Sequence, residues 1–280
     1  MTDAVLYVVA TPIGNLDDVT PRALHILSLV DLVAAEDTRH TGRLLNHFGI
    51  KAQFLALHDH NERQRSEFLL QQLHNGLKVA LVADAGTPLI ADPGFFLVRS
   101  VRASGYPVVP VVGACALVAA LSVAGLPTNR FAFNGFLATR SDARKQQLRY
   151  SCNQPMTQVF YESPHRIVSF IEDLVTICGP NRQVVIAREL TKVFETVYGD
   201  VAPAVLHWLR QDKNQQRGEF VVLVAGNDTP PLSEVAETHL LTCLLESLPV
   251  KQAVAMAAKI TGGKKNKFYK LALALKAGQD

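Results

Sequence analysis

The chain has 280 residues, enough for two medium domains that each bury a core. Its 48% hydrophobic and 19% charged residues exclude a disordered chain. The net charge of +3 sits at the C-terminal end, where residues 232–280 carry seven lysines against Glu234, Glu237, Glu246 and Asp280, and the remainder balances.

Four cysteines, Cys115, Cys152, Cys178 and Cys243, are scattered without C-x-x-C spacing. That argues for free thiols in a reducing compartment, the cytoplasm, and against a zinc site or a disulfide framework. No basic region or cleavage site precedes the first apolar run, so no secretory signal is expected.

From the N-terminus, strand patterns alternate with helical ones. Strands are expected at Leu6–Val9, Leu32–Ala35, Gln53–Leu57, Val79–Ala83 and Val108–Val111, with helices near 20–29, 38–48, 62–75 and 94–104. Such alternation predicts a largely parallel sheet. Tyr106–Leu126 carries no charge and is long enough to span a bilayer. Yet Pro107, Pro110, Gly113, Gly125 and Pro127 punctuate it. A strand, a turn at Gly113 and a small-residue helix Cys115–Ala124 explain those breakers, and a membrane span does not.

A second series follows: strands at Phe131–Phe136, Thr157–Tyr161, Gln183–Ala187, Thr196–Tyr198 and Glu219–Val224, with helices near 142–150, 164–178 and 202–211. Two consecutive β segments flank Arg188–Phe194, which predicts a mixed sheet. Gly226–Pro231 reads as the linker. Beyond it lie helices near 233–247, 250–260 and 264–276, with Pro249 opening the second and Gly262-Gly263 closing it. The expected organisation is an α/β domain over 1–114, a second over 115–228 and a basic helical module over 232–280.

Two glycine-bearing turns follow apolar strands: Ala10–Asn15, and Ala83–Gly94 with Asp84, Gly86, Thr87 and Pro88. In an open α/β sheet ligands bind at the carboxyl ends of strands, where these loops fall. Neither is a dinucleotide fingerprint or a phosphate-binding P-loop. Asp84 is either a ligand acceptor or a turn aspartate bonding its own backbone. Glu36-Asp37-Thr38-Arg39 ends another strand, with Asp37 or Thr38 as helix cap and Glu36 and Arg39 left for acid–base work or phosphate contact. His58-Asp59-His60-Asn61-Glu62 reads as a polar loop with an Asn61/Gln64 capping box rather than a metal site. Tyr161 and Glu162 sit at a strand tip, followed by Ser163 as N-cap and Pro164 as first helical residue. Arg140, Arg144, Lys145 and Arg149 make a basic helix patch, either a solvated face or a phosphate contact; the lysine-rich C-terminus favours the latter.

The motifs Tyr7–Leu16, Ala35–Arg39, Asp84–Gly94, Phe160–Arg166 and Arg188–Lys192 resemble the tetrapyrrole-methylase superfamily of S-adenosylmethionine-dependent methyltransferases. Within it the resemblance is to the members that 2′-O-methylate a cytidine ribose of small-subunit (16S) ribosomal RNA. The resemblance implies two α/β domains, S-adenosylmethionine in the cleft between them, and a homodimer. It implies that Pro12 and Gly14 shape one wall and that Asp84, Gly86, Thr87 and Pro88 form the cofactor loop. Ala114, Cys115 and Ala116 open the linking helix, and Tyr161 and Glu162 come from the second domain. The family turn Pro-Gly-Pro is Val112-Gly113-Ala114 here, which leaves the role of Ala114 open.

On this reading Glu36, Asp84 and Glu162 are the candidate catalytic carboxylates. Arg39, Arg140, Arg144, Lys145, Arg188, Lys192, Lys264, Lys265 and Lys267 are candidate RNA contacts. The alternatives are a tetrapyrrole methyltransferase and a non-catalytic RNA-binding assembly factor.

Overall fold

The computed structural model describes residues 4–227, 234–261 and 263–277. The chain divides into two compact units, Met1–Cys152 with Met156–Ala225, and Asn153–Pro155 with Gly226–Asp280. Both sheets foreseen from the sequence belong to the larger unit.

The first sheet comprises β1 (Val5–Val9), β2 (Leu32–Ala35), β3 (Phe54–Ala56), β4 (Lys78–Val82) and β5 (Val108–Val111) in the order β3-β2-β4-β1-β5, all parallel. The chain leaves β1 for β2, builds outward to β3, then returns to insert β4 between β1 and β2. The carboxyl ends of β1, β2 and β4 are therefore neighbours, the arrangement that opens a binding crevice in such sheets. Continuous apolar runs suit strands covered on both faces. Leu6, Val79 and Leu81 pack on α3 (Glu62–His74) and α4 (Phe95–Ala103), while Val9, Val33 and Val82 pack on α1 (Pro21–Leu29) and α2 (Thr38–His47).

Local chemistry sets the helix starts. The Thr20 hydroxyl accepts the Ala23 amide at 3.1 Å with Pro21 next to it, and Asp37 caps α2 by accepting the Arg39 amide at 2.9 Å. The expected Asn61 capping box is not formed. The Asn61 side chain turns back to accept the His58 amide at 2.9 Å and gives no bond to its helix.

The second sheet comprises β6 (Phe131–Phe136), β7 (Thr157–Glu162), β8 (Gln183–Arg188), β9 (Thr196–Val201) and β10 (Phe220–Val224) in the order β6-β7-β10-β8-β9. Only the β6–β7 pair is parallel, so the sheet is mixed as expected. Phe160, Ile186 and Val222 face α6 (Ser141–Ser151), α7 (Ile167–Cys178) and α8 (Ala202–Gln211). The other face, with Val159, Val185 and Val221, is covered by Leu117, Ala120 and Leu121 of α5 (Ala116–Val123) and by Ile13 from the loop after β1.

One boundary differs from expectation. Helix α7 begins at Ile167, with Arg166 rather than Ser163 at its cap. The Glu162 carboxylate accepts the Ser163 amide at 2.7 Å and pairs with Arg166 at 2.7 Å, and the Ser163 carbonyl accepts the Arg166 and Ile167 amides. Those bonds fold Ser163–Arg166 into a separate turn.

The smaller unit contains α9 (Glu234–Ser247), α10 (Val250–Thr261) and α11 (Lys265–Ala277). Fully buried Phe268 packs with Leu241, Ala253, Ala257 and Ala272. Pro249 stands just before α10, its carbonyl accepting the Gln252 and Ala253 amides. Of the expected breakers, 228–231 in the linker and Gly262 lie outside the described residues. No helix among the described residues is long and apolar enough to cross a membrane.

Candidate active site

The loops after β1 and β4 are tied together before they meet any ligand. Thr11 and Gly86 exchange backbone hydrogen bonds at 2.9 and 3.0 Å, and the buried Thr11 hydroxyl donates to the Ala83 carbonyl at 3.2 Å. Gly86 holds φ +83°, and a Cβ there would meet Ile13 Cγ2 at 3.2 Å. A side chain there would be strained on the first count and tightly packed on the second. Thr87 donates to the Ala114 carbonyl at 3.0 Å, which fastens this loop to the start of α5. From the second sheet, the Tyr161 hydroxyl accepts the Leu117 amide at 3.1 Å, and its ring packs edge-on against Phe133 and Phe136.

Between these pieces lies a cavity of about 370 Å³, within the usual range of small-molecule sites. Glu36, Asp84, Gly86, Thr87, Cys115, Ala116, Tyr161 and Glu162 line it, so the structure brings together eight of the twelve catalytic and cofactor candidates singled out from the sequence. Pro12, Gly14, Pro88 and Ala114 do not line it. Pro12 and Pro88 are buried as scaffold. Gly14 lies against the Lys192 side chain, where a Cβ would sit 2.5 Å from Cγ.

The polar wall is acidic. Asp84 accepts the Asp37 amide at 2.9 Å. Burial, then the nearby Asp84 charge, push the Glu36 carboxyl above the ordinary range. Glu162 has one oxygen committed to Ser163 and Arg166, while its buried Oε2 has no partner. A buried acceptor left without a partner is an exception in a folded protein. Burial holds the Tyr161 hydroxyl protonated far above its usual range.

Sequence reasoning passed over Asp92, which stands in the same loop and lines the same cavity. Burial, followed by the charges of Glu36, Asp84 and Asp59, pushes its carboxyl up to about 7. It also passed over Glu62. That buried carboxylate accepts the Gly94 and Phe96 amides at 2.9 and 2.8 Å and fastens the end of the loop and the start of α4 to α3. The signal for Asp92 was its place in a glycine- and proline-rich loop with Asp84; Glu62 had none.

The basic candidates separate sharply. Arg39 is exposed and forks onto Asp37, whose carboxyl it holds well below the ordinary range by hydrogen bonding. Arg140, Lys264 and Lys265 are exposed. Lys145 is partly exposed, 3.4 Å from Asp173. Arg144 corrects the expectation of a surface patch. It is 4% exposed and pairs with buried Asp173 at 2.7 Å, so it serves the fold. Arg188 is corrected likewise: it is buried, donating to the carbonyls of Asn214, Arg217 and Phe194. Lys192 bonds Glu189 and Glu219 at 2.8 and 3.0 Å, and Lys267 pairs with Glu237.

A two-sheet α/β unit with an acidic cavity at the strand ends defines a class, and comparison with known proteins agrees. Residues 5–205 match the family Tetrapyrrole (Corrin/Porphyrin) Methylases, and 232–276 match the RsmI C-terminal HTH domain. The chain belongs to the tetrapyrrole methylase family and is a methyltransferase. It is 51% identical to the Ribosomal RNA small subunit methyltransferase I of Escherichia coli O157:H7, over 96% of this chain and 94% of that one. It is 50% identical to the protein of the same name from Pseudomonas aeruginosa, over 98% of each. The fold is shared with solved structures of diphthine synthase (TM-score 0.61, 16% identity, 79% of this chain and 89% of that one) and of the methyltransferase CobJ (0.60, 19%, 82% and 96%).

Proposed function

We propose that this chain transfers a methyl group from S-adenosylmethionine to the ribose 2′-hydroxyl of a cytidine in small-subunit (16S) ribosomal RNA. The observation that carries the reading is near-complete coverage, at about half identity, by relatives named for that ribosomal RNA, with the basic helical unit included. A tetrapyrrole acceptor would leave that lysine-rich unit without a role.

The cavity fits the cofactor. A cation with an ammonium group complements a wall bearing Glu36, Asp84 and Asp92. Asp84, Gly86, Thr87, Cys115, Ala116, Tyr161 and Glu162 would hold it. When bound it supplies a methyl carbon already activated by a positive sulfur.

The protein's share is then positioning, worth about 7–11 kcal/mol when reacting atoms are held in line. The Thr11–Gly86 tie and the Tyr161–Leu117 bond join the elements that form the walls. A carboxylate accepting the hydroxyl proton adds about 10²–10⁴-fold. Arg39, Arg140, Lys145, Lys264, Lys265 and Lys267 are the phosphate contacts we retain, because their side chains are exposed or partly so.

We also read the protein as a cytoplasmic homodimer with parts 1–114 and 115–228 as the two lobes of the cleft. The four cysteines without a disulfide and the exposed apolar pair Val193 and Phe194 support it.

The test is incubation with labelled S-adenosylmethionine and small subunits from cells lacking the modification, followed by digestion to nucleosides. Label in 2′-O-methylcytidine is the expected result; label elsewhere, or none, refutes the reading.

A further inference from the structure

Four carboxylates line the cavity, and their surroundings distinguish them. Glu162 is neutralised by Arg166 at 2.7 Å and is held by the Ser163 amide. Asp84 accepts the Asp37 amide, and Glu36 is hydrogen-bonded by the Asp84 backbone. These three are anchored by donors. For Asp92 the described residues provide neither a cation nor a hydrogen-bond donor; the charges that act on it are those of Glu36 from the end of β2, Asp84 from the end of β4 and Asp59 from the loop before α3, and its own charge acts on the Tyr161 hydroxyl from β7.

Asp92 is nonetheless held in place. Leu89 and Ala91 adopt φ +72° and +70°, left-handed values that residues other than glycine rarely take. Pro93 follows with its φ locked by the ring. Glu62 then grips Gly94 and Phe96. The fold thus holds a strained loop that presents an unpaired carboxylate to the cavity.

We propose that Asp92 is the catalytic residue that removes the proton from the attacking ribose hydroxyl, an inference that rests on the function proposed above. Asp92 takes the proton onto a carboxylate oxygen. The hydroxyl oxygen keeps the O–H electron pair and forms the new bond to carbon, and the pair of the broken C–S bond stays on sulfur. The negative charge lost at Asp92 matches the positive charge lost at sulfur. A carboxyl poised at about 7 is a far better proton acceptor at neutral pH than one near 4.

The experiment compares wild type with Asp92→Asn, in full-length protein. Methyl transfer to small subunits at saturating cofactor should fall by about 10²–10⁴-fold, far more than calorimetric affinity for S-adenosylmethionine. The wild-type rate should rise with pH to a plateau above neutrality, and that limb should vanish in Asp92→Asn. Independently of activity, carboxyl-labelled wild type should show an aspartate carbon titrating near 7 that Asp92→Asn lacks. Asp92→Ser gives the same comparison where Asp92→Asn does not fold. Wild-type rates with the same pH limb in the variants, equal losses of rate and cofactor affinity, or no aspartate titrating near 7 would each overturn the assignment. Failure of the wild type itself to bind cofactor or label the subunit would instead overturn the underlying function.

Discussion

The Tyr161 hydroxyl at the tip of β7 accepts the backbone N–H of Leu117 at 3.1 Å, so a side chain of the second sheet caps the helix that follows the first. One bond thereby joins the two walls of the cavity. Tyr161→Phe removes the acceptor and leaves a first-turn amide unsatisfied. Its expected cost is about 0.5–1.5 kcal/mol, read as a lower urea midpoint.

Glu162 and Arg166 are bonded at 2.7 Å, with the Glu162 side chain fully buried and that of Arg166 only 19% exposed. Glu162→Ala strands the guanidinium and should destabilise the larger unit by about 3 kcal/mol, since removing one member of a buried pair is worse than never having built it. Glu162→Gln retains an acceptor and should lose less. Denaturant unfolding of both variants checks the order.

Asp92 makes stability depend on pH in a defined direction. Its carboxyl titrates at about 7 in the folded chain and at about 4 when unfolded. Between those values the folded state holds the extra proton, so the group's contribution is complete below about 4 and is lost as pH rises toward 7. The gain in melting temperature on Asp92→Asn should therefore widen from pH 4 to 7 and then stay level.

Lys264 and Lys265 are exposed at the start of α11. Replacing both by glutamine should weaken RNA binding and reduce the slope of log affinity against log salt by about 1.4 for single-stranded contacts. Cofactor affinity should not move. Filter binding across a salt series, beside calorimetry, separates the two effects.

Phe268 is the largest buried side chain of the helical unit. Phe268→Ala should cost that unit about 3–5 kcal/mol, visible as early loss of helix by circular dichroism.

Much of this arrangement was legible in the chain. Apolar runs between turn residues place strands such as Leu32–Ala35 and Val108–Val111 at their observed ends, because β periodicity and Gly/Pro punctuation are local properties. Asp84, Gly86 and Thr87 could be placed at one cavity because they follow an apolar strand in a glycine- and proline-rich loop, and Tyr161 and Glu162 because they end another strand and match a family motif. The fates of Arg144 and Arg188 were hidden, since a basic residue paired with a distant Asp173, or spent on distant carbonyls, looks in sequence like a solvated one. Ser163 resembled a helix cap for a similar reason. Its neighbour Glu162 claims its amide, and a side-chain ion pair four residues long overrides the local preference. Asp92 required knowledge that three other carboxylates surround it.

The most direct test is a crystal structure of the protein soaked with S-adenosylmethionine. The account predicts density in the cavity between the Asp84–Asp92 loop and Tyr161, with the methyl group turned toward the Asp92 side. An empty cavity at saturating cofactor, or the molecule bound elsewhere on the chain, would contradict it.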